Sequence, residues 1–225
     1  MKHMGIKAAI FDMDGTLVDS LMLWDVMWRE FGLRYLGDRE FRPNEADQKA
    51  VRTLTLKDAM ELIHSHYAVA ETGQVLLDCA NRIISDFYGE KLEAKKGARQ
   101  LLEQLRDAGV KMCIASATAP DLIELALEHC GLRQFFLEIF SCSVLGKGKE
   151  EPDLYLLAQG FLGEAVSDTW VFEDSLTAIE TAVKIGLPTV GIYDRFNHGQ
   201  EQIQRLVNIY VGPGESLADI PERML

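Results

Sequence analysis

The chain has 225 residues, 48% hydrophobic and 26% charged, which suits one α/β domain carrying an insertion and allows a substantial buried core. Its formal charge at pH 7 is −12, which repels nucleic acid and anionic membrane surfaces, so neither is expected as a partner. The four cysteines lack zinc-site spacing, no apolar run approaches about 18 residues, and the stretch Met1 to Lys7 has no long apolar region; reduced thiols, no membrane span, no signal peptide and a cytoplasmic location follow as expectations.

The first predicted element is the apolar run Ile6 to Phe11, which breaks abruptly into Asp12-Met13-Asp14-Gly15. A short apolar run bounded by turn residues reads as a buried strand. Asp12 and Asp14 then stand at its C-terminal end, where open parallel sheets form their ligand crevice, and Gly15 permits a sharp turn. Two crowded carboxylates repel, so they need a cation or a shared proton.

From Asp19-Ser20 to about Lys95 the pattern is helical. The first helix carries Leu21, Trp24, Trp28 and Phe31 and is expected to stop at Gly32. Gly37 to Asp47, with Pro43, reads as a loop. Leu54 to Tyr67 is a second helix with Thr55 and Asp58 in its first turn, and Thr72-Gly73 opens a third. Trp24 and Trp28 share one face and read as core of this helical segment; the alternative is that one overhangs an active site.

After Gly97 the pattern alternates. Helices are expected at Ala98 to Ala108, Pro120 to Cys130, Pro152 to Gly160 and Ser175 to Ile185. Strands are expected at Val110 to Ala115, Phe135 to Phe140, Thr169 to Phe172, Pro188 to Ile192 and Ile209 to Val211, with a terminal helical turn at Ser216 to Ile220. Such alternation means βαβ units around a parallel sheet, with all strand C-termini on one edge.

Three more polar signals fall on that edge. Ser116-Ala117-Thr118 follows a strand and precedes a helix, where a hydroxyl and backbone N–H groups suit an anionic oxygen; Thr118 reads more simply as a helix cap. Lys147 and Lys149 flank Gly148, and either could supply the cation that a phosphoryl site in an acidic protein needs. Glu173-Asp174 ends another strand. Asp12, Asp14 and Asp174, with Glu173 beside them, would form a cluster of hard oxygen ligands of the type that selects Mg²⁺.

In this order the segments Ile10-Phe11-Asp12-Met13-Asp14-Gly15-Thr16-Leu17, Ile114-Ala115-Ser116-Ala117, Lys149 before Pro152-Asp153-Leu154-Tyr155, and Val171-Phe172-Glu173-Asp174-Ser175 resemble the four motifs of the haloacid dehalogenase superfamily. The resemblance spans nearly the whole chain. Glu150 stands where the proline after the third-motif lysine is usual. The resemblance implies a Rossmann-like parallel sheet core flanked by helices, residues 1–18 and 96–225, with an inserted all-helical cap domain, residues 19–95. It further implies Asp12 as nucleophile forming an aspartyl-phosphate, and Asp14 as general acid and then base, its carbonyl also on Mg²⁺. Ser116 and the Ala117 N–H would hold phosphate oxygens and Lys149 would bridge nucleophile and phosphate. Asp174 would bind Mg²⁺, with Glu173 beside it or acting through water.

Asp14 argues against a dehalogenase, which has no leaving alkoxide to protonate, and against a phosphonatase. Trp24 stands where β-phosphoglucomutase relatives carry a cap histidine. The resulting expectation is a Mg²⁺-dependent phosphatase, monomeric, acting on a small phosphorylated metabolite. The alternatives are a β-phosphoglucomutase-like mutase and a non-catalytic phosphate-binding protein. Selectivity is expected to reside in the cap, chiefly Gly37 to Asp47, and the cap is expected to move on hinges at Leu17 to Ser20 and Lys95 to Gly97.

Overall fold

The computed structural model of the protein describes residues 5–51 and 54–224. Met1 to Met4, part of the stretch read for a leader, lie outside the described residues. Contacts divide the chain into two compact units, Met1–Ser20 with Leu92–Leu225, and Leu21–Lys91.

The first unit is a six-stranded parallel sheet. Its strands are β1 (Ala8–Phe11), β2 (Lys111–Ser116), β3 (Ile139–Ser141), β4 (Thr169–Glu173), β5 (Thr189–Ile192) and β6 (Ile209–Val211), in the spatial order β3-β2-β1-β4-β5-β6. β1 has all four residues buried, as a central strand covered on both faces should. Ala8 and Ile10 pack on one face with Cys113, Val171, Leu154 and Ala178. Phe11, on the other face, stacks on Phe172 with centroids 4.2 Å apart and meets Phe136 edge-on. The chain runs outward from β1 to β3, then returns to β4 and runs the other way. The switch point therefore lies between β1 and β4, where Phe11 pairs with Phe172 and Asp12 N–H donates to the Phe172 carbonyl at 2.9 Å.

The second unit holds α1 (Leu23–Phe31), α2 (Glu45–Val51), α3 (Leu56–Tyr67) and α4 (Gly73–Asp86), packed around Met27, Trp28, Phe31, Met60, Ile63 and Leu76. Thr55 and Thr72 cap α3 and α4 by accepting from Asp58 N–H and Val75 N–H. Trp28 is buried in this core and Trp24 packs against it with ring centroids 5.3 Å apart, in line with the core reading. Two expectations fail here. Gly32 does not stop the first helix, which runs on as a π-helical turn to Leu36 and ends at the left-handed Gly37. Gly32 is needed for close approach instead, because a Cβ there would collide with the Asp38 carbonyl and Phe41. The polar stretch Gly37 to Asp47 is also not all loop, since α2 begins at Glu45.

The remaining helices belong to the sheet unit: α5 (Ala98–Asp107), α6 (Pro120–His129), α7 (Cys142–Leu145), α8 (Asp153–Leu162), α9 (Leu176–Lys184), α10 (Gln200–Leu206) and α11 (Ile220–Arg223). Gly160 lies inside α8, which stops at the left-handed Gly163. α10 adds a helix where the sequence pattern predicts no element, and β3 begins at Ile139 because Arg133–Phe135 forms a 3₁₀ turn first.

The two connections to the helical unit run side by side within the sheet unit. Asp19 N–H donates to the Glu93 carbonyl at 2.9 Å, Lys95 N–H donates to the Leu17 carbonyl at 2.8 Å, and Val18 bridges Ala94 in antiparallel fashion. Lys95 Nζ pairs with Asp19 at 3.2 Å and with Asp194 at 2.8 Å. This pairing ties the stretch Leu17 to Ser20 and Lys95, both read as hinges, into the sheet unit.

Candidate active site

Three strand ends deliver the polar side chains. β1 leads into Asp12, and Gly15, with φ of 79°, turns the chain so that Met13 O accepts from the N–H groups of Leu17 and Val18. β2 ends in the buried Ser116. β4 ends in Glu173 and is followed by Asp174. Lys149 arrives from the loop between α7 and α8.

Lys149 is the centre of charge. Its Nζ donates to Asp12 Oδ1 at 2.5 Å and also to Glu173 Oε1. Glu173 is wholly buried. Its Oε1 accepts a second bond from the Tyr155 hydroxyl, at 3.2 Å, and its Oε2 accepts the N–H groups of Asp174 and Ser175 at 2.8 and 2.9 Å. Four donors on one carboxylate make it a fixed anchor for the lysine. Lys147 takes no part: its Nζ pairs with Asp153 at 2.6 Å and Glu151 at 3.2 Å on the surface.

Asp12, Glu173 and Asp174 each offer an oxygen within 4.8 Å of the others, and all three are buried. Asp174 accepts from Thr16 Oγ1 at 3.2 Å on Oδ1 and from Asn197 Nδ2 on Oδ2. Burial pushes Asp12 up to about 7; the Lys149 ammonium opposes this, and Glu173 and Asp14 reinforce it. Burial likewise raises Asp174 well above the carboxylate range, with Glu173 and Asp12 repelling its charge. Burial disfavours the Lys149 charge, yet Asp12 and Glu173 hold its pKa well above the ordinary lysine value. One ammonium among these carboxylates leaves the cluster short of positive charge.

Asp14, two residues after Asp12, accepts from Thr118 Oγ1 on its Oδ2 at 2.7 Å. Thr118 is therefore not the helix cap it resembled: Ala119 occupies that position, without a side-chain bond, while Thr118 N–H donates to Ser116 Oγ at 3.1 Å. Ala117 follows Ser116 as an exposed residue of this loop. Thr16, Tyr155 and Asn197 were not singled out from the sequence. Thr16 and Tyr155 lie inside matched motifs and could have been. Asn197 lies in the loop after β5, and only the fold brings it to Asp174.

A parallel sheet that gathers carboxylates, a buried lysine and hydroxyls at its switch point is that of an α/β enzyme acting on a charged, polar group. The family model for haloacid dehalogenase-like hydrolases matches residues 6–186, and the chain belongs to that family. The phosphorylated carbohydrates phosphatase of Thermotoga maritima is 25% identical over 227 residues, covering 96% of this chain and 99% of the relative. The beta-phosphoglucomutase of Bacillus subtilis is 26% identical over 200 residues, 83% of either chain. A crystal structure from Thermotoga maritima, assigned provisionally to beta-phosphoglucomutase, shares the fold with a TM-score of 0.83 at 22% identity, covering 98% of this chain and 100% of that one.

Proposed function

We propose that this phosphoric monoester hydrolase acts on a small phosphorylated metabolite in two steps at Asp12, with Mg²⁺ as cofactor. The observation that carries the reading is the buried Asp12 carboxylate held by Lys149, with a second carboxylate, Asp14, two residues along and held by Thr118.

In the first step the ionised Asp12 attacks phosphorus, the P–O bond to the alcohol breaks, and Asp14 gives its proton to the leaving oxygen. Lys149 and the Ser116 hydroxyl bind the phosphoryl oxygens as charge shifts onto them. In the second step Asp14 takes a proton from water, which attacks phosphorus, releases inorganic phosphate and frees Asp12. Glu173 keeps Lys149 charged and aimed throughout.

The donor set fits a hard divalent cation: buried carboxylate oxygens of Asp12, Asp174 and Glu173, raised pKa values at Asp12 and Asp174, and one ammonium to balance them. Asp12 and Asp174 would hold it, with the Asp14 carbonyl; when bound, Mg²⁺ neutralises charge on the transferring group and keeps Asp12 ionised. The helical unit serves as the cap domain and sets selectivity.

Hydrolysis of p-nitrophenyl phosphate with and without Mg²⁺ tests the reading, beside Asp12→Asn with its circular dichroism. Turnover should need the cation and vanish in Asp12→Asn with the fold intact. Activity within tenfold of wild type in that variant would sink the nucleophile assignment, and full activity in chelator would remove the metal. The Bacillus subtilis relative supports a phosphomutase as second reading; conversion of a sugar 1-phosphate to its 6-phosphate without release of phosphate would favour it.

A further inference from the structure

We propose that Asn197 is a positioning residue for Asp174, holding the carboxylate in the orientation in which it takes up the cation. This rests on the reading of Asp174 as a metal ligand.

Asn197 Nδ2 donates to Asp174 Oδ2 and, at 3.2 Å, to the Asp174 main-chain carbonyl. Both facing atoms are acceptors, so the NH₂ end of the amide must point at them. With Thr16 Oγ1 on Oδ1, each oxygen of the buried carboxylate has one protein donor. A carboxylate offers about four lone-pair directions, so a direction remains on each oxygen for a cation. The side chain is thus fixed without losing its capacity to ligate. Partners of this kind orient ligating carboxylates and tune metal affinity.

The amide itself is delivered by a braced turn. Asn197 N–H donates to the Asp194 carbonyl at 3.2 Å and Phe196 N–H to Asp194 Oδ1 at 2.9 Å. Gln200 Nε2 reaches the carbonyls of Asp194 and Asn197 at 3.2 and 3.3 Å. The other oxygen of the buried Asp194 is held by Lys95. The turn is closed by Asp194 and Gln200, while the side-chain bonds of Asn197 both go to Asp174. That division of labour separates the amide from the upkeep of its own loop.

The test uses the full chain as Asn197→Ala and Asn197→Leu, the second keeping the volume while removing the donor. Mn²⁺ affinity is read without substrate by electron paramagnetic resonance, beside the Mg²⁺ dependence of hydrolysis and the melting temperature, with Asp174→Asn as reference. Both variants should weaken Mn²⁺ binding and raise the KM for Mg²⁺ by roughly ten- to hundredfold, with kcat at saturating Mg²⁺ within about threefold. A purely structural role would lower the melting temperature and leave the affinity of the folded protein unmoved. Unchanged Mn²⁺ affinity in Asn197→Leu, with binding lost in Asp174→Asn, would overturn the positioning role and leave the metal reading standing. Binding retained in Asp174→Asn would overturn the metal reading and this inference with it.

Discussion

Replacing Lys149 by Met removes the ammonium that pairs with both Asp12 and Glu173. The Lys149 side chain is 12% exposed, against 6% for Asp12 and 1% for Glu173, so solvent screens the pairs little. Removing one partner of a buried pair costs about 3–5 kcal/mol, because the remaining charge is stranded. Asp12 has an escape. It already titrates near 7, and without the ammonium its pKa rises further, so it takes up a proton. A carboxyl whose folded pKa lies above its unfolded value stabilises most below the unfolded value, and that contribution falls as pH rises towards the folded one. The variant should therefore be closest to wild type in stability near pH 5 and weakest above pH 7. Turnover should fall by about 10²–10³, the loss typical for a stabiliser of developing charge. Lys147→Met is the control: its side chain is 43% exposed, and a surface pair of that kind contributes about 0–1 kcal/mol, so turnover should stay within about twofold. Steady-state hydrolysis and urea unfolding at pH 5 and 7.5 give both quantities. A larger loss in Lys147→Met, or Lys149→Met within tenfold of wild type, would refute the assignment.

Thr118→Val should lower kcat by about 10- to 100-fold, the value of a hydrogen bond to a charged group, because Asp14 loses the donor that aims it; unchanged kcat would return Thr118 to a structural role. Excess Ca²⁺ should suppress the Mg²⁺-dependent rate, since its larger shell draws more carboxylate oxygens into coordination, and equal rates with either ion would contradict this. In the helical unit, hydrogen bonds from Tyr67 and then His66 hold the Asp47 carboxyl below its ordinary range. A depressed carboxyl stabilises above its unfolded pKa and loses that contribution as pH falls through the folded one. Tyr67→Phe should therefore be less stable than wild type at pH 6, with the gap in urea midpoint closing below about pH 4; a gap independent of pH would count against it.

Much of the sheet unit was legible because its signals are local. The apolar runs of β1, β2 and β4 end in carboxylates or a hydroxyl, and Gly109, Gly131 and Gly186, each just past an expected helix, take the left-handed backbone that closes one. Gly32 misled because a glycine required for close approach and one required for a turn are the same letter. The choice between Lys147 and Lys149 was open in the sequence, since two residues' difference decides whether a side chain faces Glu173 or Asp153. Thr118 was misread because a hydroxyl before a helix usually caps it, and only the spatial proximity of the β1 and β2 ends redirects it to Asp14. Asn197 could not be read, because its partner is 23 residues away in another loop.

The antiparallel bridge between Val18 and Ala94 bears on how the chain reaches its fold. To the sheet, everything from Leu21 to Lys91 is the loop of a hairpin whose roots are already paired. By polymer scaling, closing a loop of this length instead of a four-residue turn costs about 2–3 kcal/mol more, well within what the core of a domain supplies. The helical unit can thus be exchanged for another of different size, or for a short turn, without changing any strand register. An architecture of this kind lets the helical unit diverge while the strand ends that carry Asp12, Ser116 and Glu173 stay as they are.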